Sequence, residues 1–151
     1  MSKKIAINSL RINIFEGGTT MQYSPHGSYT IEQQNNILLV NAEGPFNEIT
    51  TEQYHQDIKL ITEKMKKAPW ASLVSFKGNC VFTPEAEQIL METTQFRIEN
   101  GMVAVAGVII NSAYADILQM QLQRVYQNCG IQFNFFSNAE HAQNWLNSFI
   151  N

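Results

Sequence analysis

The run Met102-Val-Ala-Val-Ala-Gly-Val-Ile-Ile110 limits most severely what this chain can become. It is apolar at odd and even positions alike, so a strand made from it must be covered on both faces. A parallel strand inside a layered α/β sheet meets that demand. The residues around it supply what such a layer needs. Asn100-Gly101 stops a preceding helix, and residues 113–129 repeat Leu118, Leu122, Val125 and Cys129 on one helical face before Gly130 ends it.

The same alternation extends over most of the chain. Residues 28–33 and 37–43 read as two strands joined around Gln34-Asn35-Asn36, whose asparagines suit the positive φ angles of a tight hairpin. Pro45 closes the second strand because it cannot donate to a ladder. A helix then starts at Asn47 or at Thr50, the latter with Gln53 at capping-box spacing. Tyr54, Ile58, Ile61 and Met65 form its apolar stripe, and Pro69 stops it. Residues 70–76 form a short buried strand and 77–82 a flexible loop. A helix over 83–99 follows, turning Ala86, Ile89, Leu90 and Thr93 inward. After the 113–129 helix, Ile131, Phe133 and Phe135 alternate with Gln132 and Asn134, the pattern of a half-exposed edge strand. Ser137 and Glu140 then make a capping box for a last helix that buries Ala142, Trp145, Leu146 and Phe149. The expected order is β-β-α-β-α-β-α-β-α: one α/β domain, a mixed and mostly parallel sheet flanked by helices.

At 151 residues the chain is one domain's length, and 44% hydrophobic against 15% charged residues leaves no disordered signature. A net charge of −3 argues against a nucleic-acid module, which needs a basic field. No apolar run approaches the ~18 residues of a membrane span. Cys80 and Cys129 lack zinc-ligand spacing and read as reduced, packed thiols, which places the chain in the cytoplasm. The first segment fits no element. Glu16-Gly17-Gly18-Thr19-Thr20-Met21 can be encoded by a purine-rich tract just ahead of a start codon, so Met21 is read as the native start. The alternative is a genuine, loosely attached N-terminal extension, residues 1–27, to a domain over 28–151.

The order of elements, with Gly44-Pro45-Phe46-Asn47, the 70–76 strand, Thr83-Pro84-Glu85-Ala86 and the closing Ala142-x-x-Trp145-Leu146, resembles the STAS-like family. These are relatives of the sporulation stage II AA anti-sigma-factor antagonist. The likeness covers most of residues 28–150. It implies a small bacterial module that works by binding rather than catalysis. In the antagonist branch a phosphorylatable Ser, preceded by Asp, lies where the third strand meets the second helix. The matching stretch here, 77–83 (Lys-Gly-Asn-Cys-Val-Phe-Thr), contains neither, since the chain's Asp residues are Asp57 and Asp116. Thr83 is the nearest hydroxyl, and as a Thr before Pro at a helix start it is already explained as a cap.

Other constellations have bland readings. His26, His55 and His141 lie far apart with no neighbour at metal spacing. Cys80 sits near a helix start that could lower its pKa, but no base is placed beside it and Val81-Phe82 suggests an inward turn. Lys64, Lys66 and Lys67 mark a solvated helix end. Phe133, Phe135 and Phe136 on the edge strand are a candidate surface for a homodimer. No pattern asks for a cofactor or metal. The functional expectation is a non-enzymatic module that docks a protein partner, or a small anionic or apolar ligand, at the strand-to-helix edge. Phe46, Asn47, Lys77, Asn79, Thr83 and Asn111 are the side chains best placed for it. The alternatives are a phospho-switch through Thr83 and an enzyme using Cys80.

Overall fold

A computed structural model describes residues 27–150, together with short backbone pairings at 2–3, 14–15 and 18–19. Five long strands and four helices follow in the expected order. They are β1 (Ser28–Gln34), β2 (Ile37–Glu43), α1 (Glu48–Thr62), β3 (Trp70–Lys77), α2 (Pro84–Glu99), β4 (Met102–Ile110), α3 (Ala115–Cys129), β5 (Gln132–Phe136) and α4 (Ala139–Ile150). The strands lie side by side in sequence order, with β1 and β2 antiparallel and the rest parallel. Residues 2–3 pair antiparallel with the outer edge of β1. The expectation of a native start at Met21 concerns a position outside the described residues.

The β1–β2 loop is two residues long, and only Asn35 needs a positive φ, +53°. Because βαβ units carry the chain back over the sheet, α1, α2 and α3 form one layer. Their apolar faces meet Leu38, Val40, Val74, Phe76 and Val105. The opposite face of β3 and β4 presents small side chains, Ala71, Ala104 and Ala106, which let α4 approach with Ala142 and Leu146. The double-sided apolarity of β4 is therefore used on both faces, as expected. Trp70 anchors the start of β3. It is fully buried, and its indole N–H donates to Asn100 O at 2.8 Å.

One of the two expected α1 caps is borne out, and two local expectations are corrected. Asn47, not Thr50, caps α1: its Oδ1 accepts from the N–H groups of Ile49 and Thr50, both at 3.1 Å, and Thr50 sits buried inside the first turn. The α1 helix ends at Thr62 rather than running to Pro69. Backbone bonds from Lys64 to Ile61 O (3.3 Å) and from Met65 to Thr62 O (2.9 Å) tighten the chain there and bury Met65. Asn138, not Ser137, caps α4, accepting from His141 N–H at 2.9 Å.

Candidate functional site

The C-terminal ends of β2, β3 and β4 are level. Glu43 is in register with Lys77, and Lys77 with Ile110. The turns that follow, and the starts of α1, α2 and α3, therefore gather on one edge of the molecule. In layered α/β sheets ligands meet this edge.

Two of these turns are fastened together. Phe46 N–H donates to Val81 O and Thr83 N–H to Phe46 O, both at 3.0 Å, which makes a one-residue parallel bridge between Phe46 and Phe82. The two rings pack at 4.8 Å. From α3, the Gln121 side-chain amide brackets the Phe82 backbone, accepting from its N–H at 3.0 Å and donating to its carbonyl at 2.8 Å. Gly44 is needed for this fit: a Cβ there would lie 2.3 Å from Asn79 O and 2.8 Å from Cys80 Cα. The loop read as flexible is thus tied to α1's approach segment on one side and to α3 on the other.

Of the six residues expected at the site, Phe46 is buried and serves the bridge and the core. Asn47 and Thr83 are half-buried caps, and Thr83 Oγ1 accepts from Ala86 N–H at 3.1 Å. Lys77, Asn79 and Asn111 are exposed on the edge, Asn111 with a φ of +47°. The edge thus brings the six together in two groups, three supporting it from below and three facing out. An anion at these helix starts would meet N–H groups already taken by Asn47 and Thr83. It would also meet the exposed carboxylates Glu48, Glu85 and Asp116, which offset the helix dipoles.

Cys80 is fully buried, with Sγ 2.9 Å from Lys77 O. Burial pushes its thiol pKa up, the opposite of nucleophile activation. His55 lies between α1 and α2 with Nδ1 2.7 Å from Thr93 Oγ1. Burial foremost, then Lys59, lowers its pKa, while Glu52 and Glu92 oppose the shift.

Sequence reasoning missed the charged groups in the core. Arg97 is 1% exposed, and its Nη1 and Nη2 donate to Ser72 Oγ at 3.1 Å and Thr94 Oγ1 at 3.2 Å. Asp57 is also fully buried and accepts a short hydrogen bond from the Tyr29 hydroxyl. Between the sheet and the α1–α2 layer lies a cavity of about 40 Å³ whose wall is almost wholly apolar, with Arg97, Thr50, Thr51, Tyr54 and Tyr126 among its lining residues. Burial raises the Tyr126 hydroxyl pKa above its usual range, with the Arg97 cation partly opposing it, and Tyr54 is shifted the same way for the same two reasons. Helical spacing could have found Arg97. Ala86, Leu90, Thr93 and Arg97 follow i, i+4, i+7, i+11 on the inward stripe of α2.

Scans against protein-family models, curated proteins and solved structures find no match to this chain.

Proposed function

We propose that this chain is a STAS-like binding module that docks a protein partner at its strand-to-helix edge without catalysing a reaction. One observation carries the reading. Six large apolar side chains stand exposed among the described residues, and four of them belong to this edge: Ile49 (62%), Ile110 (40%), Tyr114 (49%) and Ile117 (45%). Exposed apolar side chains concentrated on one surface, interspersed with polar groups, are what a docking site presents. The polar groups here are Lys77, Asn79 and Asn111, with Glu48, Glu85 and Asp116 at the helix starts. Those carboxylates favour a partner whose face is apolar with a basic rim. The fixed loop supports the same reading, since a rigid surface loses little entropy on binding.

Affinity capture from the cells of origin tests it, with the wild-type chain compared with Lys77→Glu, Asn79→Ala and Tyr114→Asp. These residues are exposed, so their variants should keep the wild-type melting temperature and lose at least ~10-fold of the captured partner, the effect of about 1.4 kcal/mol at an interface. Undiminished capture by all three would remove the site. Phosphorylation of Thr83 would have to displace the hydrogen bond to Ala86, so mass spectrometry of the native protein should find that side chain unmodified.

Self-association belongs to the same reading, with a changed contact. Phe133 and Phe135 turn into the three-helix layer, Phe133 against Tyr126 at 5.6 Å, and Phe136 packs on Trp145 at 5.8 Å. Pairing of two copies would therefore run through the outer backbone of β5 rather than through exposed rings. Light scattering at rising concentration would show it as a doubling of mass, and a constant monomer mass would dismiss it.

A further inference from the structure

A two-residue pairing marks the outer edge of β1. Ser2 lies opposite Gln34 and Lys3 opposite Gln33, antiparallel, and residues 28–32 continue the same edge. β1 is the outermost of the five long strands on this side of the sheet, yet its inward side chains are sealed from water: Tyr29 is 4% exposed and Ile31 0%. Tyr29 has the Tyr54 ring at 5.2 Å and gives its hydroxyl to Asp57. Ile31 is an aliphatic side chain at the rim of the sheet, where burial this complete calls for apolar cover from beyond the strand. On the other face Thr30 is exposed and Glu32 half-buried.

The sequence after Lys3 matches this edge. Carried on in the same register, Lys4 stands opposite Glu32, Ile5 opposite Ile31, Ala6 opposite Thr30 and Ile7 opposite Tyr29. Side chains directly opposite one another in an antiparallel pair share a face. The two isoleucines therefore fall on the buried face, and Lys4 falls beside the Glu32 carboxylate on the other. A slip of one residue would bring Lys4 and Ala6 to the buried face and turn both isoleucines outward, so the pattern specifies the register.

We propose that the outer edge of β1 is a strand-addition site, and that residues 4–7 of the same chain occupy it, extending the pairing at 2–3 into a sixth long strand. An extended segment bonds to such an edge through its main chain and takes its specificity from alternate side chains. Here those are Ile5 and Ile7 over the core and Lys4 at Glu32. A chain begun at Met21 would lack this strand. Filling the edge also removes a template for uncontrolled pairing. The opposite edge of the sheet is β5, so copies that pair there, on the reading given above, stop at two.

Cysteine crosslinking in the full chain tests both the occupant and its register. Ala6→Cys with Thr30→Cys places two thiols on opposite residues of one face, about 4.5–5.5 Å apart at Cα and within disulfide reach. Mild oxidation should join them within one chain, read as a linked peptide by mass spectrometry, which also separates it from any product of Cys80 or Cys129. Ile7→Cys with Thr30→Cys places the thiols on opposite faces and should give no such link. In hydrogen exchange, Ile5→Asp should speed the β1 amides that point away from β2 by at least ~10-fold, and Ile5→Val should leave them near the wild-type rate. No link from the first pair, an equal link from the second, or unchanged exchange in Ile5→Asp would each overturn the proposal. A link between two chains would overturn it as well, by assigning the added strand to a second copy.

Discussion

Asn47 and Thr83 each begin a helix through one side-chain oxygen at the surface of the fold, so either atom can be removed without opening the core. Asn47→Ala or Thr83→Ala should lower stability by about 1 kcal/mol in urea unfolding, whereas Thr83→Ser should restore most of it. A loss several times larger would mean that these residues hold more than a cap. His55 gives a pH signature. Its folded pKa lies below its ordinary value, so the folded state disfavours the proton that the unfolded chain accepts. Stability is therefore complete above about pH 6.5 and declines as the pH falls through the lowered folded value. In melting curves between pH 7.5 and 5, His55→Gln should flatten that decline, and parallel curves for the two proteins would contradict the assignment. The caps were legible in the sequence because Asn-Glu and Thr-Pro-Glu are local signals. Arg97 and Asp57 were not read as interior, although each continues an inward stripe. Their burial depends on hydroxyls contributed by other elements, Ser72 for Arg97 and Tyr29 for Asp57.

The bridge between the β2–α1 and β3–α2 turns makes a prediction about how elements are joined. In Gly44→Ala the new Cβ would meet backbone atoms of Asn79 and Cys80, which cannot rotate away. In Gly107→Ala on β4 it would meet the Phe135 ring at 2.9 Å, and a ring can turn. Gly44→Ala should therefore be the more destabilising, by about 1–3 kcal/mol in urea unfolding, and should raise hydrogen exchange at Phe46 and Thr83. The reverse order would show that the bridge matters less than the β4–β5 contact. All nine principal elements were readable from periodicity and stop signals. The end of α1 and the start of α4 were not. The first depends on 3₁₀-type bonds that let Met65 turn into the core, and the second on Asn138 outcompeting the Ser137 beside it.

For the whole molecule, three helices on one face of the sheet and a single helix on the other leave the level ends of β2, β3 and β4 as the edge that carries four of the six exposed large apolar side chains among the described residues. No helix among the described residues is long and apolar enough to cross a membrane. The location of this edge was legible, because alternating strands and helices must place their turns together. Its character was not. Ile49, Tyr114 and Ile117 look like core residues in a sequence, and only the packing of α1 and α3 shows them facing out. The cavity could not be read at all, because its space is defined by side chains from three strands and three helices. The most direct test of docking at this edge is photo-crosslinking in the cells of origin, with a benzophenone side chain placed at Tyr114 or, as a control, at Leu60, which is 64% exposed on α1 outside the edge. The account predicts a discrete crosslinked adduct from position 114 and none from position 60; an adduct from 60 alone, or from neither, would contradict it.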